Sequence, residues 1–404
     1  MHKRSMTTWL GTLGLAVIMA APAAAKNAPG VTAHQIKIGQ TMPYSGPASA
    51  YGTIGKVESA YFKMVNEEGG IHGRKIDLIS LDDGYNPART VQQVRKLVEE
   101  DHVAFLFQTL GTPPNIAIEK YLNNRKIPQL FVATGADRFG DYKQFPWTMG
   151  WQPSYQVEAR IYARYILAHK PHAKIAVLYQ NDDFGKDYLI GLKDGLGAKA
   201  AHMIVSTQSY ETSDPTVDSQ IESLQGSGAN ALLVAATPKF AAQAIHEVAA
   251  LGWHPMFFMT NVSVSVSSVM KPAGFKNGIG IITAAYVKEP TDPSWKNDKG
   301  MKEYRTWVAK YFPSGNPEND FVVYGYSLAQ TMVQVLKQCG NNLSRANIMK
   351  QAAHLNMTLP LVLPGIKVHT SPTDYHPITQ EQLARFNGKT WKQFGKVISG
   401  ASGM

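Results

Sequence analysis

Short apolar runs and longer amphipathic segments alternate along most of this chain. In the amphipathic segments, apolar residues recur three and four positions apart, as at Val91, Val94 and Val98, which is the spacing of a helix face. The apolar runs that we interpret as strands are 35–42, 75–81, 103–108, 129–134, 174–180, 231–237, 255–261 and 278–286. Strands separated by helices predict β-α-β units and parallel sheets.

The alternation restarts near residue 152, which predicts two similar α/β halves, although no fixed-period repeat is visible. In parallel sheets, the functional loops follow the carboxyl ends of the strands. The tail of the chain differs, because polar and apolar residues alternate on both sides of Asn387-Gly388. That dipeptide is a strong signal for a two-residue hairpin turn.

The segment FLFQTLGTPPNIAI, residues 105–118, reads as a strand, a tight turn and the start of a helix. Thr112 is a candidate N-cap residue, and Pro113 suits the first helical position because its missing N–H would be unpaired there. Free N–H groups and the helix dipole at such a junction can hold an anion. Pro114 removes one further donor from such a site.

The first 25 residues have the pattern of a secretory signal peptide. His2, Lys3 and Arg4 form a positive start, a short apolar run follows, and small residues precede a cleavage site near Ala25. A membrane anchor is the alternative, but the apolar run is short and ends at a proline. No later stretch is long and apolar enough to span a bilayer. We therefore expect a soluble, exported protein in the periplasm.

Composition and motifs narrow the function further. The 404 residues are 44% hydrophobic and 17% charged, which is globular and long enough for about two domains. The net charge of +10 has no long basic run, so it favours anions over nucleic acid. The single cysteine, Cys339, forms no internal disulfide. No zinc, phosphate-loop or nucleophile-elbow motif occurs, so we predict no enzyme, no metal and no cofactor.

Three segments resemble the Leu/Ile/Val-binding protein family of type I periplasmic binding proteins, which serve ABC importers. They are IKIGQTMPYSGPASAYG, EEGGIHGRKIDLISLDDGYNPARTV and IAVLYQNDDFGKDY, and the resemblance extends over about 35–394. It implies an α/β fold with two Rossmann-like lobes, joined by three hinge crossings and closing on a ligand. The crossings are expected near 151–155, 284–287 and 355–360. Lobe 1 is then 34–152 and 286–356, and lobe 2 is 153–285 and 357–404.

The resemblance also implies where a ligand carboxylate binds. In amino-acid-binding members, the first strand-to-helix junction is rich in serine and holds the α-carboxylate, whereas here it is Gly111 and Thr112 followed by two prolines. The next strand end matches a second carboxylate-binding loop. In that loop, Ala133 and Gly135 are expected to offer backbone N–H groups, and Thr134 its hydroxyl.

The second lobe departs from amino-acid-binding members, which place an acidic residue after the strand equivalent to 256–261. Here the stretch around Asn261 contains no acid. A buried ammonium without a carboxylate partner would be unfavourable by several kcal/mol. An amino acid is therefore a poorer match than an acid with an apolar or hydroxylated body, and Asn261 is expected to face it.

Aromatic residues cluster at the loops that the resemblance assigns to the cleft. The ones we expect to contact the ligand are Tyr51, Tyr155, Phe184, Tyr286 and Tyr324. Each alone is more often a core residue, but together they favour a flat apolar ligand. The segment from 359 resembles a subgroup whose members take aromatic or other carboxylic acids.

The sequence therefore predicts a monomeric solute-binding protein that captures a small organic acid, aromatic by preference, and delivers it to an inner-membrane ABC permease. A branched-chain amino acid or a small amide is the alternative ligand. A sensor domain that reports ligand to a signalling partner is the alternative class, and an enzyme ranks third.

Overall fold

A computed structural model describes residues 27–400, which form two α/β lobes. The predicted signal segment lies outside the described residues. Each lobe has a parallel sheet with helices on its faces, so the predicted fold class is confirmed. Within the described range, no helix has the length and hydropathy needed to cross a membrane.

The first lobe is built on five parallel strands in the order β2-β1-β3-β4-β5. Its elements up to the first crossing are β1 (Gln35–Met42), α1 (Gly52–Glu67), β2 (Lys75–Asp82), α2 (Pro87–Arg95), β3 (Phe105–Phe107), α3 (Thr112–Asn124), β4 (Gln129–Val132) and β5 (Thr148–Gly150). A π-helical turn at Lys96–Glu100 extends α2. Every strand predicted for this half is present, and β1 matches the predicted bounds.

The second lobe contains the longer sheet, whose order β7-β6-β8-β9-β10 is parallel. Its elements are α4 (Tyr155–His169), β6 (Ile175–Gln180), α5 (Asp183–Leu196), α6 (Ala200–Met203), β7 (Ile204–Tyr210), α7 (Asp218–Gly226), β8 (Ala231–Ala235), α8 (Pro238–Ala250), β9 (Met256–Met259), α9 (Lys271–Ala273) and β10 (Ile282–Ala285). The strand β7 begins with alternating exposure, and our sequence pattern did not identify it.

After β10 the chain returns to the first lobe and then ends in the second. The remaining elements are α10 (Lys299–Tyr311), α11 (Asp320–Cys339), α12 (Arg345–Ala352), β11 (Asn356–Met357), β12 (Val368–His369), β13 (Gln380–Phe386), β14 (Trp391–Gln393) and β15 (Ile398–Ser399). Strands β13 and β14 extend the second sheet in antiparallel order beside β10. Cys339 is buried at the end of α11, the helical position that its apolar surroundings predicted.

The third crossing lies later than the resemblance implied. Leu359, Leu363 and Ile378 are buried in the first-lobe core, so 357–378 does not belong to the second lobe. The chain joins the second sheet only at β13. Only the family resemblance placed the crossing at 355–360. No hydrophobic periodicity in the sequence marks its true position. In the structure, backbone pairing of Val287 with Val362 holds that segment against the second crossing.

The predicted hairpin forms, but its turn is longer than two residues. Phe386 pairs with Trp391, so 387–390 make a four-residue connection. The Asn387 side-chain oxygen accepts hydrogen bonds from the backbone N–H groups of Lys389 and Thr390, both at 3.0 Å. This local bonding of asparagine stabilises the longer turn in place of a two-residue one.

Helices α4 and α5 approach each other closely because α5 carries a glycine at the contact. A Cβ atom on Gly191 would lie 2.2 Å from the Gln156 carbonyl oxygen and 2.6 Å from its Cα. Both atoms belong to the α4 backbone, which cannot move aside as a side chain can. The glycine therefore sets the spacing of the two helices that cover one face of the second sheet.

A buried carboxyl group links α4 to the ends of β9 and α5. Glu158 is fully buried and accepts hydrogen bonds from the Tyr162 and Tyr188 hydroxyls, each at 2.5 Å. It also accepts one from the backbone N–H of Asn261 at 2.8 Å. Burial raises the pKa of Glu158 from 4.5 to about 8, and the hydrogen bonds only partly offset this.

We predict that Gly191→Ala destabilises the second lobe by roughly 1–3 kcal/mol, the usual penalty for overpacking. The midpoint of urea unfolding should fall accordingly. The matched control is Gly226→Ala at the end of α7, where no atom lies within 4 Å of the added Cβ. The control should be neutral or slightly stabilising, because alanine favours helices more than glycine. Equal midpoints for the two variants would contradict the proposed contact.

We predict that stability falls as pH rises from about 5 to about 8. The folded-state pKa of Glu158 lies above its usual value. Its stabilising contribution is therefore complete below the unfolded-state pKa and is lost as pH rises through about 8. Urea unfolding across this range should show the decline, and Glu158→Gln should flatten it. If the pH dependence of stability is unchanged in this variant, other groups cause the decline.

Candidate functional site

A cavity of about 90 Å³ lies where the carboxyl ends of the strands of both lobes face each other. Ligands of open α/β sheets bind in such crevices, so it is the candidate site. The structure brings together all but one of the residues predicted to contact the ligand, namely Tyr51, Gly111, Thr112, Ala133, Thr134, Tyr155, Phe184, Asn261, Tyr286 and Tyr324. No group of three or more potential metal-ligating side chains occurs within 27–400.

Gly135 is the predicted residue that does not line this cavity. Its carbonyl oxygen accepts a 2.8 Å hydrogen bond from the Tyr155 backbone N–H. A Cβ atom there would lie 2.4 Å from the Pro153 carbonyl oxygen and 2.8 Å from the Tyr155 ring. Gly135 thus packs behind the cavity wall, where its small size permits the first crossing to pass.

The backbone donors expected at the two strand ends are already engaged. Ala133 N–H donates to the Thr109 carbonyl at 2.9 Å, and Gly111 N–H donates to the Ala133 carbonyl at 3.2 Å. These bonds arise because the pairing of β3 and β4 continues through a bridge between Leu110 and Ala133. The prediction that Ala133 offers its N–H to an anion is therefore wrong for this conformation.

Hydroxyl groups take the place of those donors. The hydroxyl oxygens of Thr112 and Thr134 lie 2.6 Å apart, and both side chains are buried. Thr134 Oγ1 also accepts from the backbone N–H of Ala136 at 3.0 Å. Whichever threonine donates to the other, one hydroxyl hydrogen remains for a further acceptor. The Tyr155 hydroxyl lies beside Thr134, and burial raises its pKa so that it stays protonated.

Thr112 is the first residue of α3 and is not its N-cap. Gly111 occupies the cap position with a φ of 101°, a conformation that favours glycine. A Cβ atom on Gly111 would also lie 2.5 Å from the Tyr85 ring. The predicted N-cap role of Thr112 is therefore wrong. Its hydroxyl turns to Thr134, and its N–H remains at the positive end of the α3 dipole.

Aromatic rings form the apolar wall of the cavity. Tyr155 packs against Phe184 with ring centroids 4.9 Å apart, and Tyr51 packs against Phe321 at 5.1 Å. Trp151 holds Tyr324 edge-on at 5.6 Å. Such offset and edge-on pairs stabilise the arrangement beyond their buried area. The predicted aromatic lining is thus formed by rings that fix one another.

Asn261 is held by two buried carboxyl groups. It follows β9 in a short 3-10 turn (Asn261–Ser263), and its side-chain nitrogen donates to Glu381 Oε1 at 3.1 Å. Its backbone N–H donates to Glu158, as described above. Burial, and then the neighbouring Glu158, raise the pKa of Glu381 well above its usual value. The hydrogen bonds to Glu158 and Glu381 therefore fix the orientation in which Asn261 faces the cavity.

The two lobes touch each other around the cavity. The Tyr51 hydroxyl donates to the Val262 carbonyl oxygen at 3.0 Å, and Gln180 Nε2 donates to the Tyr85 hydroxyl at 3.3 Å. Ser265 reaches Asn319 Oδ1 at 3.1 Å. These contacts join residues from opposite lobes, so the structure is in a closed conformation.

Sequence reasoning missed several residues that line the same cavity. They are Tyr85, Gln152, Lys288, Glu289, Asp320, Phe321, Trp391 and Gln393, among others. Tyr85 had a positional signal, because it closely follows the carboxyl end of β2. Glu289, Asp320 and Gln393 had none, since they come from a crossing, a helix start and the terminal hairpin.

Acidic side chains are therefore present in the cavity, although none follows β9. Glu289 and Asp320 both line it. Burial, and then the charge of Asp320, raise the pKa of Glu289 to about 8. Burial likewise raises the pKa of Asp320 to about 6. The expectation that the site lacks a carboxylate partner for a ligand ammonium is wrong, because it considered only the segment around Asn261.

Comparison with known proteins identifies the fold and the family. The family model described as "Periplasmic binding protein" matches residues 35–390. A curated relative is Leu/Ile/Val-binding protein homolog 1 of Brucella suis biovar 1 (strain 1330). It is 25% identical over 319 residues, which cover 76% of this chain and 79% of that protein.

Solved structures agree in fold. A branched chain amino acid ABC transporter protein from Thermus thermophilus with bound valine has a TM-score of 0.80 at 16% identity, covering 91% of this chain and 97% of that one. A fatty acid ABC transporter substrate-binding protein from Thermomonospora curvata has a TM-score of 0.76 at 21% identity, covering 93% and 95%.

The match over most of the chain confirms the resemblance that the sequence motifs carried, and the two-lobed fold agrees with it. The chain belongs to the periplasmic binding protein family, whose members are solute-binding proteins of the periplasm and not enzymes.

Proposed function

We propose that this protein captures a small organic acid in the cavity between its lobes and presents it to an inner-membrane ABC permease. The observation that carries the proposal is the pair of buried threonine hydroxyls, Thr112 and Thr134, at the end of an aromatic-walled cavity. Hydrogen-bond donors surrounded by apolar rings suit a ligand with an anionic end and a flat apolar body.

The carboxylate end of the ligand lies against Thr112, Thr134 and Tyr155. Thr134 bonds to both the Thr112 and the Tyr155 hydroxyls, so one hydrogen of the three hydroxyls remains as a donor, and the α3 dipole adds a favourable field. Hydrogen bonds to a charged group contribute roughly 1.5–3 kcal/mol each. The overall net charge of +10 attracts anions only at long range, and salt weakens that attraction.

The size of the cavity does not by itself decide the ligand. Its volume of about 90 Å³ is smaller than the roughly 150 Å³ cavity that admits benzene in an engineered protein. Any aryl acid or branched-chain amino acid therefore needs the lobes or the side chains to move. A closed cleft that opens by hinge motion supplies such movement.

A branched-chain amino acid is the second candidate ligand. The names of the curated relative and of the Thermus thermophilus structure refer to such ligands. One observation on this chain also favours it, because Glu289 and Asp320 offer carboxylates that could pair with an ammonium group. A ligand-sensing role for a signalling partner would use the same cavity and the same closure.

We predict that 3-phenylpropionate binds at least tenfold more tightly than its amide or than phenylalanine, by titration calorimetry. The amide lacks the anionic end, and phenylalanine adds an ammonium beside it. Leucine and valine belong in the same series. Tighter binding of leucine than of every acid would favour the second candidate.

Thr134→Val tests the carboxylate end of the same proposal. We expect it to weaken binding of 3-phenylpropionate about tenfold, and to lower the unfolding midpoint because the buried hydrogen bonds to Thr112 and Ala136 are lost. Thr306→Val is the matched control, because Thr306 lies exposed on α10 and bonds only to its own helix. Unaltered affinity in Thr134→Val would place the carboxylate elsewhere.

We predict that the ligand shifts an open–closed equilibrium. Tyr51→Phe removes the hydrogen bond between the lobes to Val262, so the unliganded variant should have a larger radius of gyration by small-angle scattering. Saturating 3-phenylpropionate should reduce the radius of gyration of the wild type. Tyr311→Phe, on a first-lobe helix, is the control. A radius that does not respond to ligand would contradict hinge closure.

A further inference from the structure

Two carboxyl groups, those of Glu289 and Asp320, line the cavity in addition to the threonine hydroxyls. Glu289 lies in the second crossing with only 7% of its surface exposed, and Asp320 is the first residue of α11. The Thr291 backbone N–H and hydroxyl both bond to Oε1 of Glu289, at 2.9 and 2.7 Å. Glu289 also lines the cavity.

The nearby lysines do not neutralise these acids. Lys288 precedes Glu289, but its ammonium pairs with Asp298 at 2.7 Å and lies over the Trp295 ring at 5.0 Å. Lys392 pairs with Asp292 in the same way. The charges of both lysines are therefore directed away from Glu289 and Asp320.

An amide group from the terminal hairpin also lines the cavity. Gln393 Nε2 is buried and has no hydrogen-bond partner within residues 27–400. The side chains of Trp391 and Gln393 lie on one face of β14, and both line the cavity. The hairpin is tied to the second crossing by a 2.6 Å hydrogen bond between the hydroxyls of Thr390 and Thr291. A buried donor without a partner is unfavourable, so it marks a place for an acceptor.

The Tyr51 ring packs against the ring of Phe321, the residue after Asp320, at 5.1 Å, and it lines the same cavity as Tyr155. Its pKa is raised by burial and, to a lesser extent, by both Tyr155 and Asp320. Tyr155 belongs to the threonine end, whereas Asp320 belongs to the other. In an α-amino acid, the carboxylate and the ammonium are attached to one carbon atom, whereas a remote hydroxyl lies at the opposite end of its ligand from the carboxylate.

We propose that Glu289, Asp320 and Gln393 bind a hydroxyl group at the far end of the ligand, so that the ligand is a carboxylic acid with a remote hydroxyl. The inference rests on the proposed function, because it places the carboxylate at Thr112 and Thr134. A hydroxyl donates its hydrogen to a carboxylate and accepts one from an amide, whereas an ammonium group only donates.

The charge state of the acids supports this assignment. The pKa of Asp320 is raised by burial to about 6, so it is mostly ionised at neutral pH. The pKa of Glu289 is raised by burial, and then by Asp320, to about 8, so it is mostly protonated. Gln393 Nε2 and a protonated Glu289 both donate hydrogens, which a hydroxyl oxygen accepts and an ammonium group does not, while Asp320 accepts the hydroxyl hydrogen.

The test compares three ligands by calorimetry, on the full mature protein. They are 3-(4-hydroxyphenyl)propionate, 3-phenylpropionate and 3-(4-methylphenyl)propionate. The wild type should bind the hydroxylated acid at least tenfold more tightly than the other two. In Asp320→Asn and in Gln393→Met this preference should fall to about threefold or less. Glu303→Gln, an exposed charge change on α10, should retain it.

The ratio of affinities is measured within each variant, so a general loss of stability does not imitate the effect. A wild type that binds 3-phenylpropionate but shows no preference for the hydroxyl would overturn this inference and leave the proposed function standing. Failure of all three acids to bind would overturn the proposed function itself. Tighter binding of 4-(aminomethyl)benzoate than of 4-hydroxybenzoate would show that the acids select a cation, which also contradicts the inference.

Discussion

A carboxyl group buried in a protein needs hydrogen-bond donors, and Glu158 obtains them from the elements that form one wall of the cavity. Tyr162 on α4, Tyr188 on α5 and the backbone of Asn261 after β9 all bond to it. Burying this group without those donors would cost several kcal/mol. The same bonds therefore fix two helices and the end of a strand, and they set the position from which Asn261 faces the cavity.

Another wall of the cavity is held in place by contacts between aromatic side chains. Trp151, in the first crossing, donates from Nε1 to Thr331 on α11 at 3.1 Å and packs edge-on against Tyr324. Tyr286, in the second crossing, packs against the same indole at 6.0 Å. One tryptophan thus joins two of the three crossings to the long helix of the first lobe. Motion of the lobes must bend the chain near this cluster, because the cluster itself is tightly packed.

Sequence patterns predicted the parts of the fold that depend on local regularity. Apolar runs gave the parallel strands, and the rule that functional loops follow their carboxyl ends brought Tyr51, Thr112, Thr134 and Phe184 to one cavity. The expected role of the Ala133 N–H was wrong, because strand pairing continues past the visible apolar run and engages this donor. Register of this kind is not encoded in hydrophobic spacing.

The other features that the sequence did not predict have a common physical origin. The third crossing, the acids Glu289 and Asp320, and the amide of Gln393 are all placed by contacts between segments that are distant in sequence. Thr291 meets Thr390 and Val287 meets Val362, although about 75 or more residues separate each pair. No local period indicates such pairings, so sequence reasoning searched for an acid only where relatives have one, beside Asn261.

Polar residues from both lobes line the cavity, and this arrangement couples ligand binding to closure of the lobes. The threonine end belongs to the first lobe, and so does Asp320, whereas Gln393 and Asn261 belong to the second. A ligand that bonds to both sets gains contacts only when the lobes are together, so its binding energy favours the closed state over the open one. The direct contacts between lobes, such as Tyr51 to Val262, are few hydrogen bonds worth about 1 kcal/mol each. In the proposed mechanism, a bound ligand adds its contacts to these hydrogen bonds and so shifts the balance further toward the closed form.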